Sequence, residues 1–116
     1  MSERARVSPT RRSPRFAPRQ PVTVAMSKDG LSFAYGIVAN LSEGGACLQT
    51  HAVPRQDLLD LVLSFYDGEY VQTRGRVVWS NSEDGLATLG VEFTELTDHA
   101  RGRLRSSLSS GAFLRL

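Results

Sequence analysis

Two short stretches hold the residues of this chain best suited to chemistry. Arg11-Arg12-Ser13-Pro14-Arg15 sets Arg11 and Arg15 four positions apart. A guanidinium is planar, permanently charged and forked, so it suits phosphate oxygens and the edges or faces of flat rings better than an ammonium does. Of the 14 basic residues only Lys28 is a lysine. The second stretch, Asn40-Leu41-Ser42-Glu43-Gly44-Gly45, joins an amide and a hydroxyl that can bond local backbone to a glycine pair that lets the chain turn sharply. Taken singly, the first stretch is compatible with a solvated basic linker, a nonspecific nucleic-acid tail or a clamp for phosphates and bases. The second, taken singly, is an ordinary turn.

Other chemistries lack their parts. Hydrolysis or metal catalysis needs clustered histidines and carboxylates or an activated nucleophile. His51 and His99 stand alone, and Asp29, Asp67 and Asp84 occupy turn sequences, where their side chains serve backbone geometry. The single cysteine, Cys47, rules out an intrachain disulfide or a multi-cysteine zinc site and reads as a small core thiol. Neither a P-loop nor a dinucleotide fingerprint occurs. An enzyme is not expected, nor a metal or resident cofactor.

The net charge of +2 conceals an asymmetry. Residues 1–20 hold six arginines against Glu3, whereas residues 21–116 hold eight basic and eleven acidic residues. Only the N-terminal segment can attract phosphates at range, and the body would weakly repel DNA. With Pro9, Pro14 and Pro18 and few apolar side chains, residues 1–19 read as a flexible arm, and residues 20–116 as one domain. Met1 to Thr10 has no apolar signal core, and no run reaches the roughly 18 apolar residues needed to span a membrane. A cytoplasmic protein without a membrane partner is expected.

From Pro21 onward the pattern alternates with period two, which marks half-buried strands. The expected inward residues are Val22, Val24 and Met26; Phe33, Tyr35 and Ile37; Leu59, Leu61, Leu63 and Phe65; Gly75, Val77 and Trp79; and Leu89, Val91 and Phe93. Trp79 is thereby assigned to the core. Strands are expected near residues 20–27, 32–39, 45–50, 58–66, 69–80 and 86–94. Asp29-Gly30 supplies one turn, Asp67-Gly68 reads as a two-residue hairpin and Asn81 to Gly85 as a longer loop. Thr97 can cap a helix that buries Ala100, Leu104 and Leu108, spaced i, i+4, i+8. Closely spaced strands followed by one helix predict an antiparallel barrel or sandwich with the helix at one end.

In this order and against this barrel, the two stretches resemble the PilZ domain, whose signature is R-x-x-x-R before the first strand and D/N-x-S-x-x-G after the second. Arg11 and Arg15 match the first half, and Asn40, Ser42 and Gly45 match the second. The runs Gly75-Arg76-Val77-Val78-Trp79 and Leu89-Gly90-Val91-Glu92-Phe93 are also similar to the family, so the likeness covers roughly residues 10 to 108. It implies a six-stranded antiparallel β-barrel with a C-terminal helix. It also implies a bacterial receptor or adaptor for cyclic di-GMP that signals through a partner protein in trans. The implied ligand contacts are Arg11, Arg12, Arg15, Asn40, Ser42 and Gly45. Two rival readings remain at this stage: a ligand-blind PilZ adaptor, and a nucleic-acid-binding protein that uses the basic arm. Nucleic acid is not the expected partner.

Overall fold

A computed structural model describes residues 13–28, 31–51 and 57–116. Its elements run β1 (Phe16–Pro18), β2 (Thr23–Lys28), β3 (Leu31–Leu41), β4 (Gly45–Thr50), β5 (Leu58–Ser64), β6 (Tyr70–Glu83), β7 (Leu86–Phe93), α1 (Asp98–Ser109) and β8 (Phe113–Arg115). The order β2-β5-β6-β7-β4-β3 closes through a β2–β3 pairing, and every pairing is antiparallel. This is the expected six-stranded barrel. Closure leaves these strands no free edge.

Alternation in β2, β5 and β7 fills the interior with Val24, Met26, Leu59, Leu61, Leu63, Leu89 and Val91, each almost wholly buried. The helix forms where the spacing places it. Thr97 Oγ1 accepts from the Ala100 amide at 3.1 Å, and Ala100, Leu104 and Leu108 make the buried stripe.

Four expectations change. In β3 the phase shifts by one residue: Ala34 and Val38 point inward, while Tyr35 and Ile37 are exposed. Gly36 lies between the two inward residues, where a Cβ would come within 2.3 Å of the Gln49 carbonyl oxygen, so the close approach of β3 to β4 sets the phase. Second, Trp79 is on the outer wall. The β6–β7 register shifts between Val77 and Trp79, and this bulge turns every later residue of β6 over.

Third, the two hairpins exchange character. Phe65 donates to the Glu69 carbonyl across three loop residues, with Gly68 at φ 90°. Strand β6 runs on to Glu83, and Asp84 and Gly85, at φ 52° and 80°, make the two-residue turn. Fourth, residues read as the end of the arm join the sheet. Strand β1 pairs with β3 at Phe16 and along its length with β8, a strand that periodicity did not suggest. The Asp29-Gly30 turn lies outside the described residues.

Glycine chemistry separates two substitutions. Gly36→Ala should destabilise the barrel by about 1–3 kcal/mol, because backbone rather than a movable side chain blocks the methyl. Gly102→Ala, with open space around the new Cβ in mid-helix, should stabilise it by up to about 1 kcal/mol. Urea denaturation of both variants checks the opposite signs.

Candidate ligand-binding site

Arg15 and Asn40 are 25 residues apart in sequence and meet in the fold: the Arg15 guanidinium Nη1 donates to Asn40 Oδ1 at 2.8 Å. Arg15 immediately precedes β1, whose Phe16 lies opposite Leu41 of β3, so the first residue of the polar stretch is brought beside the last arginine of the basic one. The partner is a neutral amide. It fixes the direction of the guanidinium without cancelling its charge, as a carboxylate would. Arg11 and Arg12 lie outside the described residues.

Ser42 and Gly45 have local duties. Ser42 is 2% exposed; its Oγ accepts from the Gly44 and Gly45 amides at 3.1 and 3.2 Å and donates to the Gly45 carbonyl at 3.3 Å. The Ser42 amide also donates to that carbonyl, at 2.9 Å, which closes the turn on itself. A Cβ at Gly45 would stand 2.1 Å from the Val91 carbonyl oxygen, so the close approach Gly45 permits is to strand β7.

The registers reveal more than the sequence did. Asn40 pairs with Cys47, Cys47 with Gly90, and Gly90 with Trp79. Paired residues share a face, and neighbouring strands lie about 4.8 Å apart, so these four residues form one straight row across the outer wall. Their neighbours Leu48 and Leu89 point the other way, into the core. At one end the Trp79 indole lies over Gly90, where an added Cβ would clash with its Nε1 at 2.0 Å. The indole remains 48% exposed. The row is therefore a shelf: a flat aromatic, two small residues, an amide and then the Arg15 guanidinium. One signal for it was available, since Val77-Val78-Trp79 breaks strict alternation as a bulge does.

Cys47 is half-buried on this shelf rather than enclosed in the core as expected. Burial pushes its thiol pKa up, and the Arg15 charge opposes that rise by favouring the thiolate. Three other arginines are engaged elsewhere: Arg74 with Asp60 and Glu95, Arg103 with Glu69, and Arg105 with Glu43. His51 and His99 are exposed, His51 Nδ1 beside the Gly85 carbonyl and His99 Nε2 beside the Arg103 guanidinium, and among the described residues no cluster of histidine, cysteine and carboxylates could hold a metal.

A six-stranded antiparallel barrel closed by a C-terminal helix, with an arginine-bearing strand meeting a polar turn on one wall, defines a class of small β-barrel modules. The chain belongs to the PilZ domain family, whose profile matches residues 9–110. The PilZ domain of Escherichia coli YcgR, solved with c-di-GMP, superposes with a TM-score of 0.67 at 12% identity, over 81% of this chain and 85% of that one. The K. pneumonia MrkH–c-di-GMP complex gives 0.65 at 20% identity, over 84% and 49%. Bacillus subtilis MotI (DgrA), an inhibitor of motility, gives 0.64 at 13% identity, over 85% and 52%. At these identities the likeness is one of fold, and the chain spans about half the length of MotI and MrkH. No curated protein matches it by sequence.

The thiol offers a direct check on the geometry. Removing the Arg15 charge by Arg15→Ala should raise the Cys47 pKa further, since only the stabiliser of the thiolate is lost. The midpoint of the pH–rate profile for iodoacetamide alkylation should move to higher pH. An unmoved midpoint would mean that Arg15 does not reach the thiol.

Proposed function

We propose that this chain is a cyclic di-GMP receptor that holds its ligand on the outer wall of the barrel and passes the bound state to a partner protein in trans. The observation that carries the reading is the meeting of Arg15 and Asn40 beside the shelf that ends at Trp79. Family membership and the YcgR and MrkH complexes with c-di-GMP support it.

Cyclic di-GMP presents two phosphates and two guanines. Arg15, oriented by Asn40 with its charge intact, can bond phosphate or the guanine O6/N7 edge bidentately, or lie on a purine face. The Asn40 amide offers a donor and an acceptor to a base edge. Cys47 leaves the shelf low enough for a flat ring, and the Trp79 indole, which lies over Gly90, supplies an aromatic boundary beside it. Arg11 and Arg12, just upstream in sequence, are proposed as further contacts to phosphate or base. Ser42 and Gly45 serve by shaping the turn that holds Asn40.

Calorimetric titration should give a micromolar or tighter Kd for cyclic di-GMP, about 8 kcal/mol or more. GTP and a DNA oligonucleotide should bind far more weakly. Equal binding of GTP would reduce the site to a generic phosphate trap, and a flat trace would favour a ligand-blind adaptor. Arg15→Ala should cost about 1–3 kcal/mol of binding, and Arg15→Lys should recover little of it because an ammonium lacks the planar fork. Trp79, the sole tryptophan, should report saturation as a fluorescence change.

A further inference from the structure

We infer that β8 is the positioning element of the arginine clamp, so that residues 112–116 set the affinity for ligand. This rests on the reading of Arg15 as a ligand contact.

Strand β1 has three residues and meets the barrel wall at a single register position, Phe16 opposite Leu41. Phe16 packs against the core, but a stub of three residues has little else of its own to offset the conformational entropy that each ordered residue loses. Its other edge is fully paired. Phe16, Ala17 and Pro18 lie opposite Arg115, Leu114 and Phe113, and the ladder extends one bond beyond each end. The Leu116 amide donates to the Arg15 carbonyl at 2.9 Å, and the Arg19 amide donates to the Ala112 carbonyl at 2.8 Å. The backbone of Arg15 is thus gripped directly by β8.

That strand is anchored in turn. Phe113 is buried and meets Phe65 edge-to-face, ring centroids 6.2 Å apart. Upstream, Ser110 bonds back to the Ser107 carbonyl at the end of α1, and its hydroxyl accepts from the Ala112 amide at 3.3 Å. A continuous chain of contacts therefore runs from the docked helix through β8 and β1 to the Arg15 guanidinium. Leu114 and Leu116 are half or more exposed, so their side chains contribute little packing and the strand acts through its backbone.

Three proteins decide the matter: the full chain, Leu116→Pro, which removes the donor to the Arg15 carbonyl from an exposed position, and a deletion of residues 112–116. Limited trypsin digestion with mass readout, without ligand, should show the Arg15–Phe16 and Arg19–Gln20 bonds resistant in the full chain. In the deletion they should be cut at least tenfold faster, with Leu116→Pro between the two. Calorimetry should then show cyclic di-GMP affinity about tenfold or more lower in the deletion, and Arg15→Ala added to the deletion should lower it less than twofold further. Resistant bonds or full affinity in a folded deletion variant would overturn the inference. If the deletion unfolds by circular dichroism, Leu116→Pro decides by the same two readouts. Should the full chain fail to bind cyclic di-GMP, the functional reading falls, and the ligand-free digestion still decides whether β8 holds β1.

Discussion

A slip of β4 by one residue between β3 and β7 would turn Cys47 into the core and bring Ala46 or Leu48 onto the wall, because side chains alternate with period two. The site depends on that register. Buried Ala46 and Leu48 fix it from the inside, since exposing the leucine alone would forfeit about 1.5–3 kcal/mol. Gly45 and Gly36 fix it from the backbone, each allowing a neighbouring strand to come closer than any Cβ would permit. With the register set, Asn40, Cys47, Gly90 and Trp79 have no choice but to line up on the outside.

Electrostatics then distinguishes Arg15 from the three arginines that pair with acids. Arg74, Arg103 and Arg105 face carboxylates in largely exposed pairs, where an ion pair contributes about 0–1 kcal/mol and the charge is spent locally. Arg15 instead faces an amide. The asparagine supplies direction and leaves the positive charge available to an anion, so the family's aspartate alternative at position 40 would trade charge for a tighter pair. The same uncancelled charge acts on Cys47, which ties the chemistry of the thiol to the position of the arginine.

Much of this was legible in the sequence, for reasons that follow from burial. The leucine alternation of β5 and the 97–108 helix pattern are dictated by water, and both emerged where the pattern placed them. Motif spacing singled out Arg15, Asn40, Ser42 and Gly45 as candidates, but not how the fold uses them: Arg15 meets Asn40, whereas a hydroxyl that looks free to bind in sequence is 2% exposed in the fold. Trp79 was misplaced because one bulge residue inverts every later side chain, and Tyr35 and Ile37 because Gly36, which carries no hydropathy signal, sits on the inward face. Strand β8 escaped notice because three residues with one buried side chain have no periodicity to read.

Placement of the ligand on the outer wall is tested most directly by amide and indole chemical shifts of isotope-labelled protein during a cyclic di-GMP titration. If the ligand occupies the shelf, the large shifts will fall on Arg15 to Ala17, Asn40 to Gly45, Cys47, Gly90 and the Trp79 indole N–H. Residues of the opposite wall, such as Ala25 and Val62 on β2 and β5, will stay in place. Saturable shifts centred on β2 and β5, with Cys47, Gly90 and Trp79 unmoved, would contradict the assignment of the site.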